Sequence, residues 1–320
     1  MIAPLLQVED LSVSFRYRDR MVAPLDGVTL SVSAGESVGI VGESGSGKST
    51  LALAVLRLTP PARDLKVSGR IAFEGRDVFA MNRKDLSAYR GGGVALIPQD
   101  PMTSLNPTLT VGKQVSETIA LGGSVRGLEA ETVKALGAVR IPEPETRLNA
   151  YPHQLSGGLR QRVVGAIGIA RSPRLLIADE PTTALDVTVQ RRYLDMLDGL
   201  RRERGMAMLF ISHDLGVVAK VCERIIVMYA GQIVEDGPTR DVLDRPRHWY
   251  TGALVAAARG VSGAQKRLPA IGGAPPTLTD RPPGCRFAPR CANAKPQCQA
   301  LPDLTPGHGH RLRCHFPKSA

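Results

Sequence analysis

The sequence predicts an α/β fold: a parallel sheet covered by helices, with antiparallel strands at the start and an all-helical insertion in the middle. Three observations carry that prediction. Short continuous apolar runs ("ESVGIV", "RLLIAD", "AMLFIS") alternate with helix-periodic stretches, the pattern of strands buried on both faces. Hydrophobic residues make up 43% of the 320 positions but aromatics only 4%, so the core is aliphatic rather than the aromatic filling of a β-sandwich. The first buried run leads straight into the glycine-rich "GESGSGKST", a strand–loop–helix junction.

Each element follows in order. "LLQVEDLSVSF" and "GVTLSVSA" carry apolar residues at period two and predict an antiparallel, half-exposed sheet. "ESVGIV" predicts a buried strand and "STLALAVLRL" a helix broken by Pro60 and Pro61. From about residue 108 to 150 the period becomes helical in "TVGKQVSETIAL" and "ETVKALGAV". Strands then return in "RLLIAD", "AMLFIS" and "RIIVMYAGQIVEDG", with "VQRRYLDMLDGLRRE" as a helix and "YAGQ" as a hairpin turn. After about residue 260, "LPAIGGAPPTLTDRPPGC" reads as a Pro/Gly linker. The chain therefore divides into a nucleotide-binding domain over 1–258, its helical subdomain at about 102–160, and a linker plus cysteine-bearing extension over 259–320. No internal repeat is present, so one nucleotide-binding unit is expected per chain.

Composition excludes several classes. No apolar run approaches the ~20 residues of a membrane-spanning helix, and Glu9 and Asp10 interrupt the place where a signal peptide would be apolar. A soluble, unexported protein is expected. The net charge of +11 is scattered in short arginine groups without aromatic interleaving, which is a solvated surface rather than a nucleic-acid footprint.

The chemistry sits in a few motifs. "GESGSGKS" fits G-x-x-x-x-G-K-[ST], and Gly42, Glu43, Ser44, Gly45, Ser46, Gly47, Lys48, Ser49 and Thr50 form the loop and helix start. Its glycines let backbone N–H groups turn inward on a triphosphate, with Lys48 reaching the β- and γ-phosphates and Ser49 ligating Mg²⁺. "RLLIADEP" ends a buried strand in two acids: Asp179 belongs near Mg²⁺ through water, and Glu180 is placed to take a proton from the attacking water. Gln99 in "ALIPQDP" can reach metal and water; His213 in "FISHD" can bond the γ-phosphate; Asp186 in "ALD" follows the acidic pair. Together these features mark a P-loop nucleoside triphosphatase that uses Mg²⁺; the resemblance that follows implies that its nucleotide is ATP.

"LSGGLRQR" holds no group able to take a proton or attack, yet Ser156, Gly157 and Gly158 open a helix in the form that meets an anion. With it the sequence resembles the ATP-binding cassette (ABC) family over roughly residues 5–255. The resemblance implies an ABC-type P-loop core with a RecA-like parallel sheet, an N-terminal antiparallel β-subdomain and a helical signature subdomain. It also implies that Ser156–Gly158 of one cassette close on ATP held by another, so the chain must pair. Phe15 sits where the family stacks an aromatic on adenine, with Tyr17 the alternative. Leu159 replaces the usual glutamine of the signature.

"QDPMTSLNPTLTVGKQVSE", "ADEPTTALDVTVQ" and "HWYTGAL" followed by a cysteine-bearing tail are similar to the dipeptide/oligopeptide/nickel importer ATPases, and most like the first of their two ATPase subunits. Trp249 stands where that pattern usually has proline. The resemblance implies a peripheral protein at the cytoplasmic face of the inner membrane, energising uptake of peptides or a related small solute. Its partners would be a second, paralogous ATPase subunit, two permeases and an extracytoplasmic solute-binding protein, with no nucleic acid. Nickel or another solute is the alternative cargo. A nucleic-acid-associated ABC ATPase is the rival class, disfavoured because the span from Ser49 to Leu155 is short and lacks cysteine.

Cys285, Cys291, Cys298 and Cys314 follow the spacing C-x5-C-x6-C-x15-C. Disulfides, packing and a metal site compete as readings, and the family's cysteine-bearing extension favours a [4Fe–4S] cluster. Structural zinc is the runner-up, with His310 or His315 as substitute ligands.

Overall fold

A computed structural model describes residues 3–123, 126–183, 185–260, 271–307 and 310–319. Part of the expected linker, residues 261–270, lies outside the described residues. The strands, in chain order, are β1 (Leu6–Tyr17), β2 (Arg20–Val32), β3 (Ser37–Val41), β4 (Lys66–Phe73), β5 (Arg76–Asp77), β6 (Val94–Ile97), β7 (Leu175–Asp179), β8 (Ala207–Ile211), β9 (Arg224–Tyr229), β10 (Gln232–Pro238), β11 (Thr305–Gly307) and β12 (His310–Leu312). The fold is α/β and forms two compact units.

The first unit comprises Met1–Val32, Ser37–Ala80 and Phe210–Ala320. Its antiparallel sheet has the order β2-β1-β4-β5, as the period-two pattern requires. Leu6, Val8, Leu11 and Val13 are fully buried. The slip in alternation between Val8 and Leu11 is a bulge, with Asp10 at φ 48°. The second group of strands in this unit runs β11-β12-β10-β9-β3. β3 and β9 pair in parallel, Ile40 opposite Ile226, and both are buried along nearly their whole length, which is why they read as unbroken apolar runs. The expected hairpin is present: β9 turns through Ala230 and Gly231 into antiparallel β10.

The helix after the glycine-rich loop is shorter than its apolar pattern suggests, Lys48–Val55. It stops before either proline because Arg57 adopts φ 53°. The Leu58 and Arg57 N–H groups then close back on Leu53 and Ala54 carbonyls at 2.7 and 2.9 Å, a Schellman end.

The second unit comprises Ser33–Glu36 and Met81–Leu209. β6 and β7 pair in parallel, Val94 opposite Leu175 and Ile97 opposite Ala178. The helices Val111–Ala120, Leu128–Ala138, Gly157–Ile169 and Val187–Arg204 surround one core that includes Ile97, Val115, Leu136, Val163 and Tyr193. The helical expectation for about 108–150 is met by the first two. The Val187–Arg204 helix is bounded by an aspartate N-cap, Asp186, and by Gly205 in the left-handed region at φ 63°. Among the described residues no helix is long and apolar enough to cross a membrane.

Candidate nucleotide site and the cysteine-bearing extension

The glycine-rich loop lies between β3 and the Lys48–Val55 helix, so its backbone N–H groups and the helix N-terminus face the same space. Gly47 has φ 102°, and a Cβ there would stand 2.6 Å from the Pro24 carbonyl oxygen, so the turn requires glycine. Lys48 is 6% exposed. Its ammonium donates to the Gly42 and Glu43 carbonyls at 2.9 and 3.0 Å and to Ser46 Oγ at 3.4 Å, which folds the loop around a positive charge. Ser49 is exposed and Thr50 half-buried at the helix start. In the same unit, Phe15 is half-buried and Tyr17 is 51% exposed, both beside the β1–β2 turn. His213 is exposed immediately after β8 and lines a cavity with Asp214, Leu215 and Gly216.

The second unit brings together a different subset. β7 ends at Asp179, which is 8% exposed, and Glu180 follows with φ 46°. A left-handed glutamate is a strained backbone position of the kind found at working sites. Gln99 Nε2 donates to Glu180 Oε2 at 3.2 Å, and Thr183 Oγ1 donates to the same oxygen at 3.1 Å. The carboxylate is thus oriented by two neutral donors, and sequence reasoning had named only one of them. Ser156 caps the Gly157–Ile169 helix by accepting from the Leu159 N–H at 3.4 Å. Gly157 has nothing within 4 Å of a built Cβ, whereas Gly158 would meet Val189 at 3.0 Å. One glycine leaves the helix end open to an approaching anion, and the other lets the helix pack closely. Asp186 spends its side chain on the Thr188 and Val189 N–H groups, both at 3.0 Å, so its position in the structure is that of a helix cap.

The extension is part of the first unit. Cys285, Cys291, Cys298 and Cys314 line one pocket with His315, and all four carry free thiols. Burial raises the Cys285 and Cys291 thiols above their usual range and pushes Cys314 up to about 11, each against backbone N–H groups that pull the other way. The space between the side chains is about 10 Å³, room for no more than about one water. Among the described residues no group of three or more His, Cys, Asp or Glu is arranged to hold a metal ion. The expected iron–sulfur or zinc site thus has four candidate donors lining one pocket, with no formed ligand set among the described residues. His310 is not a substitute ligand: its Nε2 faces Glu235 Oε1 at 3.1 Å, and that carboxylate is fully buried. His315 Nε2 lies 3.0 Å from the Ala300 carbonyl oxygen.

Residues 25–183 match the ABC transporter family, and residues 234–298 match the oligopeptide/dipeptide transporter C-terminal region. The chain is 43% identical over 314 residues to the oligopeptide transport ATP-binding protein OppD of Haemophilus influenzae, covering 97% of both chains. The chain belongs to the ABC transporter family. A second relative of this ABC ATPase is the dipeptide transport ATP-binding protein DppD of the same organism, 44% identical over 317 residues, covering 98% of this chain and 96% of that one. Among solved structures, an ATP-binding cassette dimer in a post-hydrolysis state with ADP and Pi is similar at TM-score 0.66 and 26% identity, covering 73% of this chain and 99% of that one. As an ABC ATPase the chain binds and hydrolyses ATP, and its opening third and buried strands are the family's fold.

Three side chains that sequence reasoning missed bear on this ABC ATPase's site. Thr183 joins Gln99 on Glu180; the signal was "PTT" directly after the acidic pair. Tyr250 accepts the Glu43 backbone N–H at 2.8 Å, and Arg290 holds the Glu43 carboxylate. The last two are more than 200 residues from the loop and left no local signal.

Proposed function

We propose that this chain is the ATP-hydrolysing subunit of a membrane importer for di- or oligopeptides. The observation that carries the reading is the match of residues 234–298 to the oligopeptide/dipeptide transporter C-terminal region in a chain that also holds every usual hydrolytic side chain. Relatives named for oligopeptide and dipeptide transport support the peptide class over nickel. In this reading the protein sits peripherally on the cytoplasmic face of the inner membrane. It works with two permeases, an extracytoplasmic binding protein and a paralogous second ATPase.

The roles follow from the chemistry of each group. In the first unit the loop from Gly42 to Thr50 receives the triphosphate; Lys48 bridges its β- and γ-phosphates and His213 bonds the γ-phosphate. Phe15 stacks on adenine. Ser49, Asp179 and Gln99 are the groups that would hold Mg²⁺, which supplies charge neutralisation on the phosphates. Glu180 takes the proton of the attacking water while Gln99 and Thr183 hold its carboxylate in place. Ser156, Gly157 and Gly158 offer a hydroxyl and the positive end of a 13-residue helix to the γ-phosphate on the partner cassette. Asp186 caps the helix beside that junction.

The cysteine tail takes a finer proposal. Four thiols on one pocket are the donor set of a [4Fe–4S] cluster or, alternatively, of zinc, and either would contribute folding free energy to a core-poor extension. Its role is structural or regulatory rather than catalytic, since no step of ATP hydrolysis calls for it.

Uptake tests the function. Vesicles carrying the assembled transporter with ATP inside should accumulate a labelled tripeptide and not ⁶³Ni, and the Lys48→Ala chain should abolish it. Nickel uptake without peptide uptake would replace the peptide reading.

A further inference from the structure

Glu43, at the first variable position of the nucleotide loop, is held at three points by its own unit. Its N–H donates to Tyr250 Oη at 2.8 Å, and its carbonyl accepts from Lys48 Nζ at 3.0 Å. Its carboxylate takes both terminal nitrogens of Arg290, at 2.7 and 3.1 Å, a bidentate fork. Arg290 comes from the short 3₁₀ turn Ala288–Arg290, between Cys285 and Cys291 of the extension. Its side chain is 4% exposed. Nε donates to the Gly272 carbonyl at 2.8 Å, and the terminal nitrogens also reach Tyr229 Oη at 3.1 Å and the Ile271 carbonyl at 3.3 Å. All five guanidinium donors are therefore used. The Phe287 ring packs edge-on to Tyr229 and tilted against Tyr250, each at 5.4 Å between centroids, which fixes the platform under the fork.

A guanidinium this fully committed is a rigid strut rather than a surface charge. It acts on a residue whose peptide carbonyl is one of the acceptors of the Lys48 ammonium, beside the Gly42 carbonyl and Ser46 Oγ. It also neutralises a carboxylate that would otherwise stand beside an incoming triphosphate.

We propose that Arg290 of the C-terminal extension is a positioning residue for the nucleotide loop, clamping Glu43 so that the extension forms part of the ATP site. The inference rests on reading residues 42–50 as the loop that binds ATP. Breaking the clamp has two consequences: the loop loses its anchor, and the Glu43 charge is left uncompensated near phosphate.

The test uses the full chain, with Kd for a fluorescent ATP analogue and Mg²⁺ measured alongside KM and kcat in the assembled transporter. Arg290→Ala should weaken nucleotide binding about tenfold, the scale of a lost charge-assisted pair. KM should rise while kcat stays within about twofold, because the loop binds ground and transition states alike. Arg290→Lys, which keeps the charge but not the fork, should recover part of the affinity. Glu43→Gln together with Arg290→Ala should bind better than Arg290→Ala alone, since the stranded carboxylate is gone. Thermal unfolding of Arg290→Ala, measured beside Glu43→Gln (a half-buried and isosteric change), shows whether binding losses occur in folded protein. Unchanged Kd in folded Arg290→Ala, or losses that simply add in the double variant, would overturn the clamp. Normal binding by Lys48→Ala would instead overturn the reading of the loop itself.

Discussion

Gln99 donates its side-chain amide to the Glu180 carboxylate at 3.2 Å. The two residues lie just beyond the ends of separate strands of the same unit, β6 and β7, which pair in parallel and so carry both to one edge. The bond points the carboxylate before any water has to be activated.

Glu180→Gln should therefore keep ATP affinity and lower turnover by roughly 10²–10⁴-fold, the range for a lost general base. Nucleotide binding and single-turnover hydrolysis measured on the same preparation check this, and near-normal hydrolysis would remove Glu180 from the role. Thr183→Val keeps shape and deletes one of the two donors, so kcat should fall less than in Glu180→Gln, with affinity unchanged.

Ser156 has a cap to lose as well as an anion to meet. Ser156→Ala should cost about 1 kcal/mol of stability through the missing bond to the Leu159 N–H, read as a lower thermal midpoint. Ser156→Arg should block hydrolysis at the partner's loop and spare the loop of its own chain. Site-resolved trapping of nucleotide in the assembled pair distinguishes the two, and loss confined to the chain's own loop would contradict action across the pair.

His248 is 1% exposed, its Nδ1 accepts the Tyr250 N–H at 3.1 Å, and burial lowers its pKa from 6.5 to about 4. The unfolded chain binds this proton at a higher pH than the folded one. Stability contributed by the neutral ring is thus fully present above pH 6.5 and is lost as pH falls toward 4. Over that window the loss amounts to about 3 kcal/mol. Chemical denaturation between pH 7 and 4.5 should show the decline, and His248→Gln should flatten it. A pH-independent midpoint in the native chain would refute the buried neutral ring.

Anaerobically purified chain should carry iron and acid-labile sulfide in equal amounts, with Cys291→Ser losing both. Stoichiometric zinc would replace the cluster and keep the site. Metal-free protein with four reactive thiols would leave the pocket as packing alone.

The nucleotide residues were legible because their chemistry is written locally. A loop, its glycines and its lysine are contiguous, and Asp179 and Glu180 end one apolar run. Ser156 declared itself as a cap by standing before two glycines and a helical period. What stayed hidden was pairing across long separations. His310 read as a spare metal ligand because histidine near cysteine is a common pattern; its partner Glu235 lies 75 residues earlier, and nothing in either neighbourhood points to the other. Arg290 read as one of many scattered arginines, since only the folded extension brings it to Glu43. The early end of the Lys48–Val55 helix was invisible for a related reason. Arg57 accepts a left-handed conformation that its residue type does not announce.

β12 lies against β10, Glu235 opposite Leu312 and Asp236 opposite Arg311, and the Arg313 N–H reaches the Val234 carbonyl at 2.9 Å. Removing the last 20 residues would uncover the amides and carbonyls of β10, a seven-residue strand buried almost throughout. Such a margin recruits foreign strands. Deleting the tail to learn its purpose would therefore yield precipitate for reasons unconnected with ATP or cysteine chemistry. An insoluble truncated chain reports an unzipped sheet border, and the tail's other duties are reached only by changes that leave β12 in place.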